Sequence, residues 1–254
     1  PARFVVVREN PPVTGERRPV LRFVSDGLVQ YALLLWPAGE PPTRGWPLLL
    51  FNHGYHPNPP DYGRAASGEN DRPGDYYRGV AQAFVDRGMV VLVPDFRGHN
   101  VSEGSAFTRR EDAPAYYARD TVAAFRAVSE LDGLDRSRRY MLGHSMGGLV
   151  TLAALSEVGT DIAAASIWSS MSLTGYLQPL EDAGVPLLVQ HARGDRTTPV
   201  AGSEAIVRAL REQGATVKLE LYHSDDHLFA GDQFREAVAR DVAWFARSAT
   251  GNDP

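Results

Sequence analysis

Apolar residues fall into two alternating patterns from residue 47 onward. Mostly apolar runs occur at 47–51, 89–93, 162–168, which includes Ser166, and 185–190, which ends on Gln190. Such runs, bounded by Gly and Pro, predict strands buried on both faces of a parallel sheet. Between them the period becomes helical. Tyr77, Val80, Ala81, Phe84 and Val85 share one face, and Gly88 ends that segment. Tyr117, Val122, Phe125 and Val128 do the same within 114–131, and Ile206, Ala209 and Leu210 within 200–213. Residues 216–222 alternate as a last strand, and Phe234, Val238, Val242 and Phe245 give a closing helix its apolar face. Before residue 47, the runs 4–7 and 29–35 are separated by Pro11-Pro12 and Ser25-Asp26-Gly27, and read as antiparallel opening strands. With a strand ending at 139–142 and a small-residue helix at 149–155, the pattern predicts an α/β fold. Its sheet has eight strands, mostly parallel, joined by right-handed crossovers and flanked by helices. There is no repeat, linker or low-complexity segment, so residues 1–254 are expected to form one domain.

Chemistry enters where the pattern switches from strand to helix. Gly143-His144-Ser145-Met146-Gly147-Gly148 lies between the strand and the small-residue helix. G-x-S-x-G in that position is a nucleophile elbow, in which Ser rides a tight turn and its hydroxyl stands clear of the sheet. A bare match is weak, so the rest of the chain must supply a base, an acid and oxyanion donors. Asp195 follows the strand 185–190 in Arg193-Gly194-Asp195, and His227 follows the last strand in Asp225-Asp226-His227-Leu228-Phe229. The loops after parallel strands gather at one sheet edge, so Ser145, Asp195 and His227 are expected together. A Ser hydroxyl needs an adjacent base, which His227 would supply, with Asp195 orienting the imidazole. The N–H groups of Met146 and of Tyr55, in Asn52-His53-Gly54-Tyr55, are the expected oxyanion donors.

The competing residues are less well placed. His223 sits at a strand end, and Asp225 and Asp226 adjoin His227 too closely to orient its ring. Asp95, in Asp95-Phe96-Arg97-Gly98-His99, reads as a brace, and Asp120 and Asp161 have no supporting context. His53 and His56 are too sparse a pair for zinc, so no metal is expected. Residues 58–77 form a long polar insertion with Tyr62, Tyr76 and Tyr77. Just after the oxyanion loop, it is expected to wall a substrate pocket; a solvated excursion is the alternative. Tyr62, Tyr76, His56 and His144 are the candidate substrate-binding residues.

Composition removes several function classes. The net charge is -5 with no dominant basic stretch, which argues against nucleic acid. No apolar run reaches transmembrane length. There is no Cys, hence no thiol nucleophile or thiolate metal site, and no inference about redox compartment. Because the chain starts at Pro1 rather than Met, a start segment is expected to have been removed. The compartment stays open between the cytoplasm and, with a signal peptide removed, the periplasm or exterior. Oligomeric state is likewise open.

From residue 47 to the end the chain resembles the α/β-hydrolase superfamily, most closely the catalytic domain of the prolyl oligopeptidase (S9-like) group. The resemblance rests on Asn52-His53-Gly54-Tyr55, Pro94-Asp95-Phe96-Arg97-Gly98, Gly143 to Gly148, Arg193-Gly194-Asp195 and 222–229. It implies an α/β-hydrolase fold, a Ser-His-Asp triad, no cofactor, and an ester or short peptide as substrate. Residues 169–184 leave no room for a large cap domain. Peptidases of that group carry a β-propeller, for which this chain has no room, so the expectation shifts toward a small carboxylesterase working through an acyl-enzyme. A peptidase of the prolyl oligopeptidase type, and a non-catalytic binding protein on the same fold, are the alternatives.

Overall fold

The structure, a computed structural model, describes residues 4–10, 15–55, 77–171 and 184–248. They fall into two compact units: one within 4–51 and 77–136, the other within 52–55 and 137–248.

The first unit contains β1 (Val5–Asn10), β2 (Arg18–Ser25), β3 (Leu28–Leu35), β4 (Trp46–Asn52), α1 (Arg78–Val85), β5 (Val90–Asp95) and α2 (Ala113–Val128). Its strands lie in the order β1-β2-β3-β5-β4. The β1–β2, β2–β3 and β3–β5 pairs are antiparallel, and β4–β5 is parallel. Asp26 and Gly27 close the β2–β3 hairpin with φ of 48° and 80°. A two-residue turn with both φ positive twists in the sense of the flanking strands, which is why Asp-Gly is favoured there. β5 and all but the first residue of β4 are buried, as unbroken apolar runs require. α1 packs on β5, and α2 on β2 and β5.

The second unit contains most of β6 (Leu134–His144), then α3 (Met146–Val158), β7 (Ala164–Trp168), β8 (Leu187–Ala192), α4 (Val200–Glu212), β9 (Val217–Tyr222) and α5 (Gly231–Ser248). β6, β7, β8 and β9 are neighbours in that order, all parallel. His144 pairs with Trp168, Trp168 with Gln190 and Ala192 with Tyr222. The carboxyl ends of four strands therefore align, and the loops after β6, β8 and β9 leave from one edge. α3 and α5 pack on β7, and α4 on β8 and β9. Tyr140 stacks on Phe245 with centroids 4.6 Å apart.

Nine strands occur among the described residues, against the eight read from apolar runs. The extra one is β2, where Arg18 and Arg22 interrupt the apolar residues. Its Arg18 is nonetheless buried, so a charge that looked like a break is part of the strand. β6 also begins earlier than its apolar end indicated, because 135–139 are polar.

Candidate active site

Ser145 follows β6 and precedes α3 with φ 57° and ψ −121°. A non-glycine residue is strained there, and the surrounding structure must hold it. The Ser145 N–H donates to the Trp168 carbonyl at 2.9 Å, and the Ser145 carbonyl accepts from Gly148 N–H at 3.0 Å and Met171 N–H at 3.3 Å. The flanking glycines are required by close approach. A Cβ on Gly143 would lie 2.1 Å from the Gly147 carbonyl oxygen, and one on Gly147 would lie 2.0 Å from that of Asn52. The 52–55 segment thus runs directly against the first turn of α3. Asn52 Nδ2 donates to Thr151 Oγ1 at 2.9 Å, and His53 Nδ1–H donates to the Gly54 carbonyl at 2.9 Å, bracing the turn that leads to exposed Tyr55. Met146 opens α3, so its N–H has no helical partner four residues back.

Asp195 follows β8 and is 5% exposed. Its Oδ1 accepts from the N–H groups of Thr197 at 2.8 Å and Thr198 at 3.0 Å. Its Oδ2 accepts from His227 Nδ1–H at 2.8 Å and Thr198 Oγ1 at 2.9 Å. Burial alone would raise the Asp195 pKa, but the hydrogen bonds from His227 and Thr198 outweigh it and hold the carboxyl below the usual range. With Nδ1 donating to a carboxylate, neutral His227 carries its lone pair on Nε2, the nitrogen a general base uses. His223 is exposed and away from this pair; its carbonyl accepts from Gln233 Nε2.

His144 is 1% exposed and offers a substrate no surface. Its Nε2–H donates to the His227 carbonyl at 2.9 Å, with ring centroids 4.6 Å apart. Burial, reinforced by the His227 ring, pushes its pKa down to about 3. The other three candidates for substrate contact, Tyr62, Tyr76 and His56, lie outside the described residues, as does nearly all of the 58–77 insertion. Its last residue, Tyr77, is buried with its ring 5.3 Å from Phe51.

Two family models match the chain. The alpha/beta hydrolase fold covers residues 47–204, more than half of the chain. The chain belongs to the alpha/beta hydrolase fold family. The Prolyl oligopeptidase family matches residues 161–253, which include Asp195 and His227. The uncharacterized peptidase YtmA of Bacillus subtilis (strain 168) is 22% identical over 193 residues, 63% of this chain and 73% of that protein. A Mycobacterium tuberculosis puromycin-hydrolyzing peptidase superposes with a TM-score of 0.75 at 19% identity, over 94% of this chain and 40% of the other. Pyrococcus horikoshii acylaminoacyl peptidase gives 0.72 at 17%, over 93% and 42%. Est1E from Butyrivibrio proteoclasticus, solved with ferulic acid bound, gives 0.65 at 19%, over 89% of this chain and 98% of that one. The chain thus spans about two-fifths of these two peptidase chains and nearly all of Est1E.

Sequence reasoning missed three participants in this hydrolase-fold chain. His191, fully buried, donates Nε2–H to the Thr198 carbonyl at 2.7 Å and pairs through Nδ1 with Ser203 Oγ at 2.7 Å, clamping the Asp195 loop. Thr198 sits beside the Asp195–His227 pair. In the first unit, Asp120 is fully buried and accepts from Arg97 at Nη2 (2.7 Å), at Nε (3.0 Å) and at the backbone N–H (2.8 Å). That gives Asp120, which seemed to lack context, a bracing role under the Asp95-Phe96-Arg97-Gly98 stretch. The only local signals were a His inside an apolar run, a Thr before a Pro, and an Asp on the apolar side of a helix.

Proposed function

We propose that the protein is a serine hydrolase that cleaves carboxylic esters through an acyl-enzyme on Ser145. The observation that supports this best is the Asp195–His227 hydrogen bond at 2.8 Å, in the unit that also carries the strained Ser145. His144, next to Ser145 in sequence, holds the His227 carbonyl and so ties the two loops together.

His227 Nε2 takes the Ser145 proton as Oγ attacks the carbonyl carbon, then returns it to the leaving oxygen. Asp195 stabilises the imidazolium formed between those steps. Met146 and Tyr55 N–H groups bind the oxyanion, a contribution of about 3 kcal/mol per donor. Water, deprotonated by the same His227, then releases the acid. The chain needs no cofactor for these steps.

Est1E, of which this chain covers 98%, was solved with ferulic acid bound, a carboxylic acid of the kind that ester cleavage releases, and that favours the ester reading. The Prolyl oligopeptidase match over 161–253 and the similarity to YtmA favour a second one, cleavage of short peptides by the same machinery.

Both are tested by fluorophosphonate labelling with peptide mapping, followed by turnover of aryl esters of graded acyl length beside aminoacyl and peptidyl amides. Labelling at Ser145, lost in Ser145→Ala, with faster turnover of esters than amides is expected. Amides turned over faster would establish the peptidase reading. An unlabelled Ser145 with no turnover would leave a binding protein on a hydrolase fold.

A further inference from the structure

Thr198 is 6% exposed, and its hydroxyl has three polar neighbours. Oγ1 lies 2.9 Å from Asp195 Oδ2, 2.9 Å from the Ser169 carbonyl oxygen and 3.2 Å from His227 Nδ1. A carboxylate and a carbonyl only accept, so the single hydroxyl hydrogen serves one of those two. The Oγ1 lone pairs then face His227 Nδ1–H, which is shared between Asp195 Oδ2 and Thr198 Oγ1. Among the described residues, Asp195 Oδ2 and Thr198 Oγ1 are the two side-chain oxygens at hydrogen-bond distance from His227 Nδ1. Asp195 Oδ1 is occupied by two backbone N–H groups, and His191 Nε2, 3.4 Å from Oδ2, is committed to the Thr198 carbonyl.

Ser169, like Ser145, is a non-glycine residue with positive φ, 44°. It directly follows Trp168, whose carbonyl receives the Ser145 N–H. With its hydrogen on the Ser169 carbonyl, the hydroxyl links the base, which donates Nδ1–H to it, to the strand end that seats the nucleophile, while Asp195 Oδ2 shares the same Nδ1–H.

We propose that Thr198 is a positioning residue for acyl transfer. Its hydroxyl fixes the His227 ring against Asp195, offers Nδ1–H a second acceptor as the imidazolium forms, and ties the pair to Ser169. This role rests on the acyl-transfer reading above. Thr198 touches neither substrate nor reacting atoms, so its loss should lower kcat and leave KM in place.

The test compares Thr198→Val, which keeps the shape without the hydroxyl, with Thr198→Ser, which keeps the hydroxyl without the methyl. Turnover of an aryl ester is measured with Ser145→Ala alongside, and thermal unfolding confirms folding. Expected are a kcat lowered about tenfold in the Val variant with KM within about twofold, and recovery in the Ser variant, the size of a lost hydrogen bond to a charged group. If the Val variant does not fold, Thr198→Ala against Thr198→Ser makes the same comparison. Wild-type kcat in the Val variant, equal losses in Val and Ser, or a change confined to KM would each overturn the role of Thr198 while acyl transfer stands. Turnover surviving in Ser145→Ala would instead overturn acyl transfer, and the proposal with it.

Discussion

His144 and His227 are held together by a hydrogen bond from the His144 Nε2–H to the backbone carbonyl of His227, at 2.9 Å. The residue before the candidate nucleophile thus anchors the main chain of the candidate base. A backbone acceptor positions the loop without using the side-chain nitrogens of His227, which stay free to pair with Asp195 and to work on a proton.

His227→Ala should abolish ester turnover, by several orders of magnitude if the triad residues act as a unit. His223→Ala should leave most of it, since His223 is exposed and the Asp195 carboxylate is bonded by His227. Steady-state kinetics of the two variants checks this, and activity lost with His223 but kept without His227 would move the base to the strand end.

Two buried groups should give opposing pH dependences of stability. Burial raises the Asp241 carboxyl to about 7, although its oxygens accept from Trp168 Nε1 at 2.9 Å and Gln190 Nε2 at 2.7 Å. The folded state then holds a proton that the unfolded chain has released, so this stability is present below about pH 4 and is lost as pH rises toward 7. His144, lowered to about 3, behaves in reverse: its stability is present above about pH 6.5 and is lost as pH falls. Between pH 4 and 6.5, urea midpoints measured relative to wild type should fall with rising pH in His144→Gln and climb with rising pH in Asp241→Asn. The slopes are the readout, and parallel slopes in both variants would count against the pair.

Gly147→Ala should damage the elbow more than an ordinary Gly→Ala change in a helix. Its Cβ would lie 2.0 Å from the Asn52 carbonyl oxygen, which is backbone and cannot swing aside. Overpacking of this kind costs about 1–3 kcal/mol or more. Thermal melts and phosphonate labelling rate should both drop, and Gly79→Ala in α1, whose Cβ meets nothing within 4 Å, gives the helical comparison.

Asp120→Ala should destabilise by about 3 kcal/mol, because it leaves the Arg97 guanidinium buried without its main partner. Asp26, at 3.0 Å from Arg97 Nη2 but partly exposed, offsets only part of the loss. Replacing both by Arg97→Met with Asp120→Leu should recover much of it. Denaturant unfolding of single and double variants checks the coupling, and additive losses would mean that the pair is not a unit.

The strands and helices from residue 47 onward were legible because doubly buried parallel strands show as unbroken apolar runs and their helices as one apolar face. Ser145, Asp195 and His227 could be singled out as candidates because each follows an expected strand, and parallel strands put the ensuing loops at one edge. The insertion at 58–77 is one stretch whose local pattern, polar with scattered Tyr, specified no packing. β2 was hidden because Arg18 and Arg22 break its apolar pattern, although Arg18 is buried. Asp120 had no supporting context until the fold set it against Arg97, 23 positions away. Thr198, His191 and Asp241 escaped notice for the same reason. A polar side chain's role depends on which partners converge on it, and residues 29, 12 and 73 positions apart converge only after the sheet has formed. Local period encodes which elements form and where their ends fall. The hydrogen-bond partners that hold the ends of those elements in register are long-range, so no short stretch of the chain contains them.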